Sequence, residues 1–108
     1  MSVVSKTIKY LLDKNISVST AESCTGGLLA AEFTAVSGIS KIYKTGLITY
    51  SNDSKIKNLK VKPSTIKRYG AVSRQVCAQM CLHLHKISKS QLTSVSYTHL
   101  RAHETKTD

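Results

Sequence analysis

Two hydrophobic periods alternate along this chain, and that alternation limits the fold more than any single residue does. Val4, Thr7, Ile8, Leu11 and Leu12 recur at helical spacing, which predicts an amphipathic helix over residues 2–14, ended by Asn15. Ile16, Ser17, Val18, Ser19 and Thr20 alternate and are rich in β-branches, so residues 16–20 are predicted to be a strand. A small-residue turn follows at 21–27, and a helical pattern resumes over 28–36. A loop at 37–40 leads toward a second predicted strand at 46–50. Ser51, Asn52 and Asp53 are capping residue types, and they precede a short helix through Leu59. Pro63 suits the first turn of another helix, which stops at Gly70, and Ser73 caps a longer one carrying Val76, Cys77, Met80, Cys81 and Leu84. This order predicts an α/β fold, a layered sheet with flanking helices, in which loops at strand ends carry the site.

At 108 residues there is room for one small domain. No stretch approaches the roughly 18 consecutive apolar residues of a membrane span, and residues 1–9 lack the pattern of a secretory signal, so a cytoplasmic protein with no membrane partner is expected. Cys24, Cys77 and Cys81 cannot all pair and form no C-x-x-C, which points to reduced thiols. Cys77 and Cys81 have core spacing on a helix. His83 and His85 follow, but neighbours at i and i+2 do not face together, so no metal is expected. The net charge of +10 raises nucleic acid as a partner. The basic residues are scattered, however, and their densest run, Lys55, Lys57, Lys60, Lys62, Lys67 and Arg68, has no interleaved aromatics for base stacking. Nucleic acid is therefore the lesser expectation, and a phosphate-bearing small substrate accounts for a milder basic excess.

The most informative segment is Thr20-Ala21-Glu22-Ser23-Cys24-Thr25-Gly26-Gly27. A strand running into a Gly-Gly turn before a helix projects a hydroxyl at a sharp corner, as a nucleophile requires. It also leaves helix N-terminal amides for a phosphate or an oxyanion. Simple helix capping by the same residue types is the plainer alternative. Further on, Tyr50 closes the second predicted strand and Lys55 lies one turn into the next helix, so both can reach one pocket. A lysine beside a serine acts as its base when desolvation lowers its pKa. A surface lysine and a half-buried strand-end tyrosine are the plainer reading of the pattern taken by itself.

Three segments, TAESCTGGLLA, VSGISKIYKTGLITYSNDSK and YGAVSRQV, resemble the CinA C-terminal family in order and spacing, and together they span nearly all of residues 1–94. The resemblance implies a layered α/β fold, no cofactor or metal, and hydrolysis of nicotinamide mononucleotide to nicotinate mononucleotide and ammonia. It implies Ser23 as nucleophile and Lys55 as its base, with Tyr50 assisting. It further implies that Cys24, Thr25 and Gly26 line the substrate site, the Thr25 hydroxyl and Gly26 amide holding the oxyanion. Gly38 and Ser40 would meet the nucleotide, and Asn52 would order the helix that presents Lys55. Glu22 is left between a pocket carboxylate and a structural pairing. A non-catalytic nucleotide-binding or competence- and recombination-associated accessory role is the alternative.

Members of that family continue with another strand, a Ser-Gly-Ile-Ala-Gly-Pro loop, further strands and an arginine that contribute to the pocket. Residues 95–105 of this chain instead resemble the translation of a transposon-based sequencing-library adaptor. The expected division is therefore a first part of the amidase domain over 1–94 and a non-native tail over 95–108, inactive and marginally stable as it stands. His99 and His103, at i and i+4, lose their metal-site appeal with the tail. A homo-oligomer is left open for the complete domain.

Overall fold

Strand β1 (Val18–Glu22) lies in the middle of a three-stranded sheet, between β2 (Tyr43–Ile48) and β3 (Leu92–Ser96), and both pairings are parallel. The computed structural model describes residues 2–96. Parallel neighbours require crossovers. Helix α2 (Leu28–Thr34) and a short 3-10 turn, Ile39–Lys41, make the first. Helices α3 (Asn52–Leu59), α4 (Pro63–Tyr69) and α5 (Arg74–Ser88) make the second.

Two apolar clusters divide the molecule into layers. Ile8 and Leu11 of α1 (Val3–Asp13) pack with Val18, Phe33, Ile39 and Ile42 on one face of the sheet. Leu59, Val61, Val76, Met80 and Leu84 pack with Ala21 on the other. Strand β1 feeds both, because successive side chains point to opposite faces. The expected layered α/β architecture is the one observed.

The strand boundaries differ from the predicted ones for a physical reason. β1 starts at Val18 and runs through Ala21 and Glu22, and all five of its residues are buried. A central strand covered on both faces has no polar-out alternation to read. Its polar residues are buried because each has a partner. Ser19 meets the Ser90 hydroxyl at 2.6 Å, and Thr20 meets the Tyr43 phenol at 2.6 Å. β2 likewise begins at Tyr43 and stops at Ile48, so Tyr50 lies beyond the strand rather than at its end.

β3 carries no strong pattern in the sequence. Val95 pairs with Ala21 and packs on the second cluster, and Ser96 pairs with Glu22. The first two residues assigned by sequence to the tail therefore complete a strand, because Val95 supplies an apolar side chain where the α5 face needs one. His99 and His103 lie outside the described residues.

Candidate active site

At the far end of β1 the backbone turns through Gly26 (φ 62°) and Gly27 (φ 107°) into α2. Two successive left-handed residues explain the glycine pair. A Cβ on Gly27 would also lie 3.0 Å from the Ile48 side chain. The corner is held by Glu22, which is fully buried. Its Oε1 accepts from the Thr25 hydroxyl at 2.8 Å, the Gly27 amide at 3.2 Å and the Leu29 amide at 2.8 Å. Its Oε2 accepts from the Ala30 amide at 2.8 Å. Burial alone would raise the carboxyl pKa, but the hydrogen bonds from Leu29, Ala30, Thr25 and Gly27 outweigh it and hold the group below 4.5. Glu22 is thus the anion of this helix N-terminus.

That arrangement corrects part of the sequence-based site. Of the amides expected to be free for a phosphate or oxyanion, those of Gly27, Leu29 and Ala30 are occupied by Glu22 and that of Leu28 by the Thr25 carbonyl. The Thr25 hydroxyl donates to the same carboxylate, and the Gly26 amide donates to the Ser23 carbonyl at 3.1 Å. Neither donor is available to an oxyanion in this conformation. The amides of Cys24 and Thr25 have no acceptor among the described residues.

Ser23 follows the last residue of β1, and Tyr50 and Lys55 follow the last residues of β2, which pairs with β1 in parallel. All three therefore stand at one end of the sheet. Ser23 is 6% exposed and Lys55 only 2%. Lys55 lies in the first turns of α3, whose cap is the Ser51 hydroxyl, accepting from the Ser54 amide at 3.0 Å. Asn52, expected to order this helix, is its exposed first residue, and Ser51 does the capping. The Lys55 Nζ donates to the Tyr50 carbonyl at 3.2 Å. Burial pushes the ammonium pKa below 10.5, opposed by charge on the nearby half-buried Cys24. Tyr50 is 70% exposed, so its link to Lys55 runs through the main chain and its phenol faces solvent.

Gly38 and Ser40 are placed elsewhere. They precede β2, and the Ile42 carbonyl accepts from the Val18 amide at 2.9 Å at the start of β1. They stand at the opposite end of the sheet from Ser23, separated by the length of a five-residue strand, about 17 Å. The structure does not bring them to the Ser23–Lys55 corner within one chain. A cleft of about 590 Å³ between α1 and α2, bordered by Lys9, Asp13, Glu32 and Ser37, is also apart from it.

One residue of the corner escaped the sequence. Thr49 is 1% exposed, its amide donates to the Glu22 carbonyl at 2.9 Å, and its hydroxyl has no partner among the described residues. That bond continues the β1–β2 ladder and sets Thr49 beside Ser23. Nothing in a Leu-Ile-Thr-Tyr run marks such a residue, since threonine is ordinary strand material. Among the described residues no group of three or more His, Cys, Asp or Glu converges as metal ligands would, and no helix is long and apolar enough to cross a membrane.

A parallel α/β layered domain with a serine at a strand-to-helix corner and a buried lysine at the same sheet end defines the class. The chain belongs to the CinA C-terminal domain family, whose pattern it matches over residues 1–100. A protein of Acetivibrio thermocellus named for competence-damage induction is 48% identical over 84 residues, 78% of this chain and 20% of that protein. The crystal structure of competence damage-inducible protein A from Klebsiella pneumoniae superposes with a TM-score of 0.80 at 30% identity, covering 86% of this chain and 58% of that one. The competence/damage inducible protein of Agrobacterium tumefaciens gives 0.76 at 36% identity, covering 83% and 59%. The chain thus spans about a fifth of the curated relatives and somewhat over half of the solved ones.

Proposed function

We propose that the chain forms the first part of a nicotinamide mononucleotide deamidase, an amidohydrolase of pyridine-nucleotide salvage that releases ammonia and nicotinate mononucleotide. The observation that carries this reading is the buried Lys55 amine at the same sheet end as Ser23. Only a neutral amine accepts a proton, and burial moves Lys55 toward that state.

Lys55 takes the proton of the Ser23 hydroxyl as the oxygen attacks the carboxamide carbon. The protonated amine returns that proton to the departing nitrogen, and ammonia leaves an ester on Ser23. Water then adds by the same route, giving the carboxylate and restoring the hydroxyl. The Cys24 and Thr25 amides are the donors left for the oxyanion, in place of the Thr25 hydroxyl and Gly26 amide. Tyr50 and Asn52 form an exposed rim suited to substrate contact. Gly38 and Ser40 reach the substrate only from a second copy of the chain.

The test is ammonia release from nicotinamide mononucleotide by the chain extended to the length of its solved relatives. Ser23→Ala should lower kcat by about 100-fold or more with an unchanged circular dichroism spectrum. A variant keeping more than about a tenth of the wild-type kcat would remove Ser23 from the nucleophile role.

A further inference from the structure

From Ser54 to His103 every formally charged side chain is a lysine or an arginine. This half of the chain builds the layer of α3, α4 and α5, and the structure gathers part of its charge around one concavity. A cleft of about 310 Å³ is lined by Lys60, Lys62, Gln79, Leu82, His83 and Lys86. It lies on the helical layer, and neither Ser23 nor Lys55 lines it. α5 leads into β3, which runs parallel to β1, so the C-terminal half of α5 points back toward the start of the strands.

The cleft is built rather than a chance meeting of long side chains. Val61, between the two lysines, is buried in the second apolar cluster at 1% exposure, and its amide donates to the Lys55 carbonyl at 3.2 Å. Anchoring Val61 inward leaves Lys60 and Lys62 exposed on either side of it. Gln79 ties this loop to α5. Its Oε1 accepts from the Lys62 amide at 2.9 Å, and its Nε2 donates to the Thr65 hydroxyl at 2.8 Å. Lys86 and the half-buried His83 face the same space from α5. No acidic side chain lines it. The one ion pair of this layer among the described residues, Lys57 with Asp53 at 3.6 Å, involves none of these lysines.

We propose that this cleft binds an organic phosphate, the phosphate on Lys60, Lys62 and Lys86 and its apolar body against Leu82. Three ammonium groups without a carboxylate partner suit a phosphate dianion, which accepts several charge-assisted hydrogen bonds at once. Leu82 is 61% exposed at the wall, a surface that inorganic phosphate would not use. The volume sits at the small end of ligand clefts, which fits a compact ester rather than a protein segment. This binding is independent of the proposed amidase chemistry.

The experiment is a titration of the 108-residue chain with phenyl phosphate, inorganic phosphate and pyrophosphate at fixed ionic strength, followed by amide NMR shifts and by thermal stabilisation. Phenyl phosphate should bind saturably, shift the amides of Lys62, Gln79 and His83, and bind more tightly than inorganic phosphate. The Lys62→Gln/Lys86→Gln double variant should weaken phenyl phosphate binding about tenfold or more, whereas Lys67→Gln, outside the cleft, should leave it unchanged. Equal losses in both variants, or shifts spread over all basic residues without saturation, would overturn the proposal. So would pyrophosphate binding strongly with no dependence on Lys62 and Lys86, since the surface would then be a diffuse polyanion attractor.

Discussion

Glu22 and Ala30 meet at 2.8 Å through the Glu22 Oε2 and the Ala30 amide, so the last residue of β1 caps the helix that leaves it. Anions are favoured at helix N-termini, and here the protein supplies its own. Glu22→Gln should destabilise the fold by about 2–3 kcal/mol near neutral pH, because an amide nitrogen would be forced against backbone donors. The pH dependence has a definite sign. With its folded pKa below 4.5, Glu22 contributes stability that is complete above the unfolded value and is lost as pH falls through the folded one. Urea unfolding of wild type and Glu22→Gln at about pH 7 and about pH 3 should show the gap between them shrinking in acid.

Lys55 also makes stability rise with pH, but by losing a cost rather than by making a favourable contribution. Its folded pKa lies below 10.5, so burying the charge opposes folding at neutral pH, and this cost disappears as pH rises through the folded value toward the unfolded one. Lys55→Met should therefore be as stable as wild type or more so near pH 7, while abolishing the proposed amidase activity of the extended chain. In that chain kcat/KM should rise with pH along the depressed Lys55 titration. A Lys55→Arg variant of near-normal activity would make Lys55 an electrostatic anchor and move the base elsewhere.

Thr49 offers a stability test of the same corner. A buried hydroxyl without a partner is a net loss, and an isosteric methyl group removes it. Thr49→Val should leave stability unchanged or raise it by up to about 1 kcal/mol in urea unfolding. A loss larger than about 1 kcal/mol would show that the hydroxyl has found a partner in solution.

Gly46 stands where the Tyr43 phenol folds back on β2, and a Cβ there would collide with that hydroxyl. Gly46→Ala should cost about 1–3 kcal/mol. Tyr43→Phe, although it loses the bond to Thr20, removes the colliding atom. The double variant should therefore be more stable than the sum of the single losses by about 1 kcal/mol, measured as a double-mutant cycle.

The helices α1, α3 and α5 were legible because each combines a serine cap with buried residues at helical spacing. Ser73 accepts a hydrogen bond from the Val76 amide, as its position suggests, and Pro63 does open α4, while Ser2, placed by sequence inside α1, caps it by accepting from the Ser5 amide. The strands were less so. β1 is enclosed on every side, and its Ser19, Thr20 and Glu22 look like surface or turn residues until their distant partners are known. β3 rests on pairing with β1 more than on its own pattern. At the candidate site, type and spacing suggest a hydroxyl at the strand-to-helix corner and a lysine able to reach the same end of the sheet, and both stand there. The commitment of the Thr25 hydroxyl and Gly26 amide could not be read in the sequence, because one depends on a buried carboxylate and the other on the turn that sets it against the Ser23 carbonyl. Nor could the remoteness of Gly38 and Ser40, which follows from strand direction.

The central place of β1 also bears on how the chain is made. Ser19 waits for Ser90, 71 residues downstream, and Ser17 for Gln91, 74 residues downstream. At about 5–20 residues per second of synthesis, several seconds separate the emergence of β1 from that of the strand that closes its second edge. Throughout that interval the strand leading to the Ser23 corner exposes unpaired amides and carbonyls on the β3 side, open to pairing with any other nascent strand.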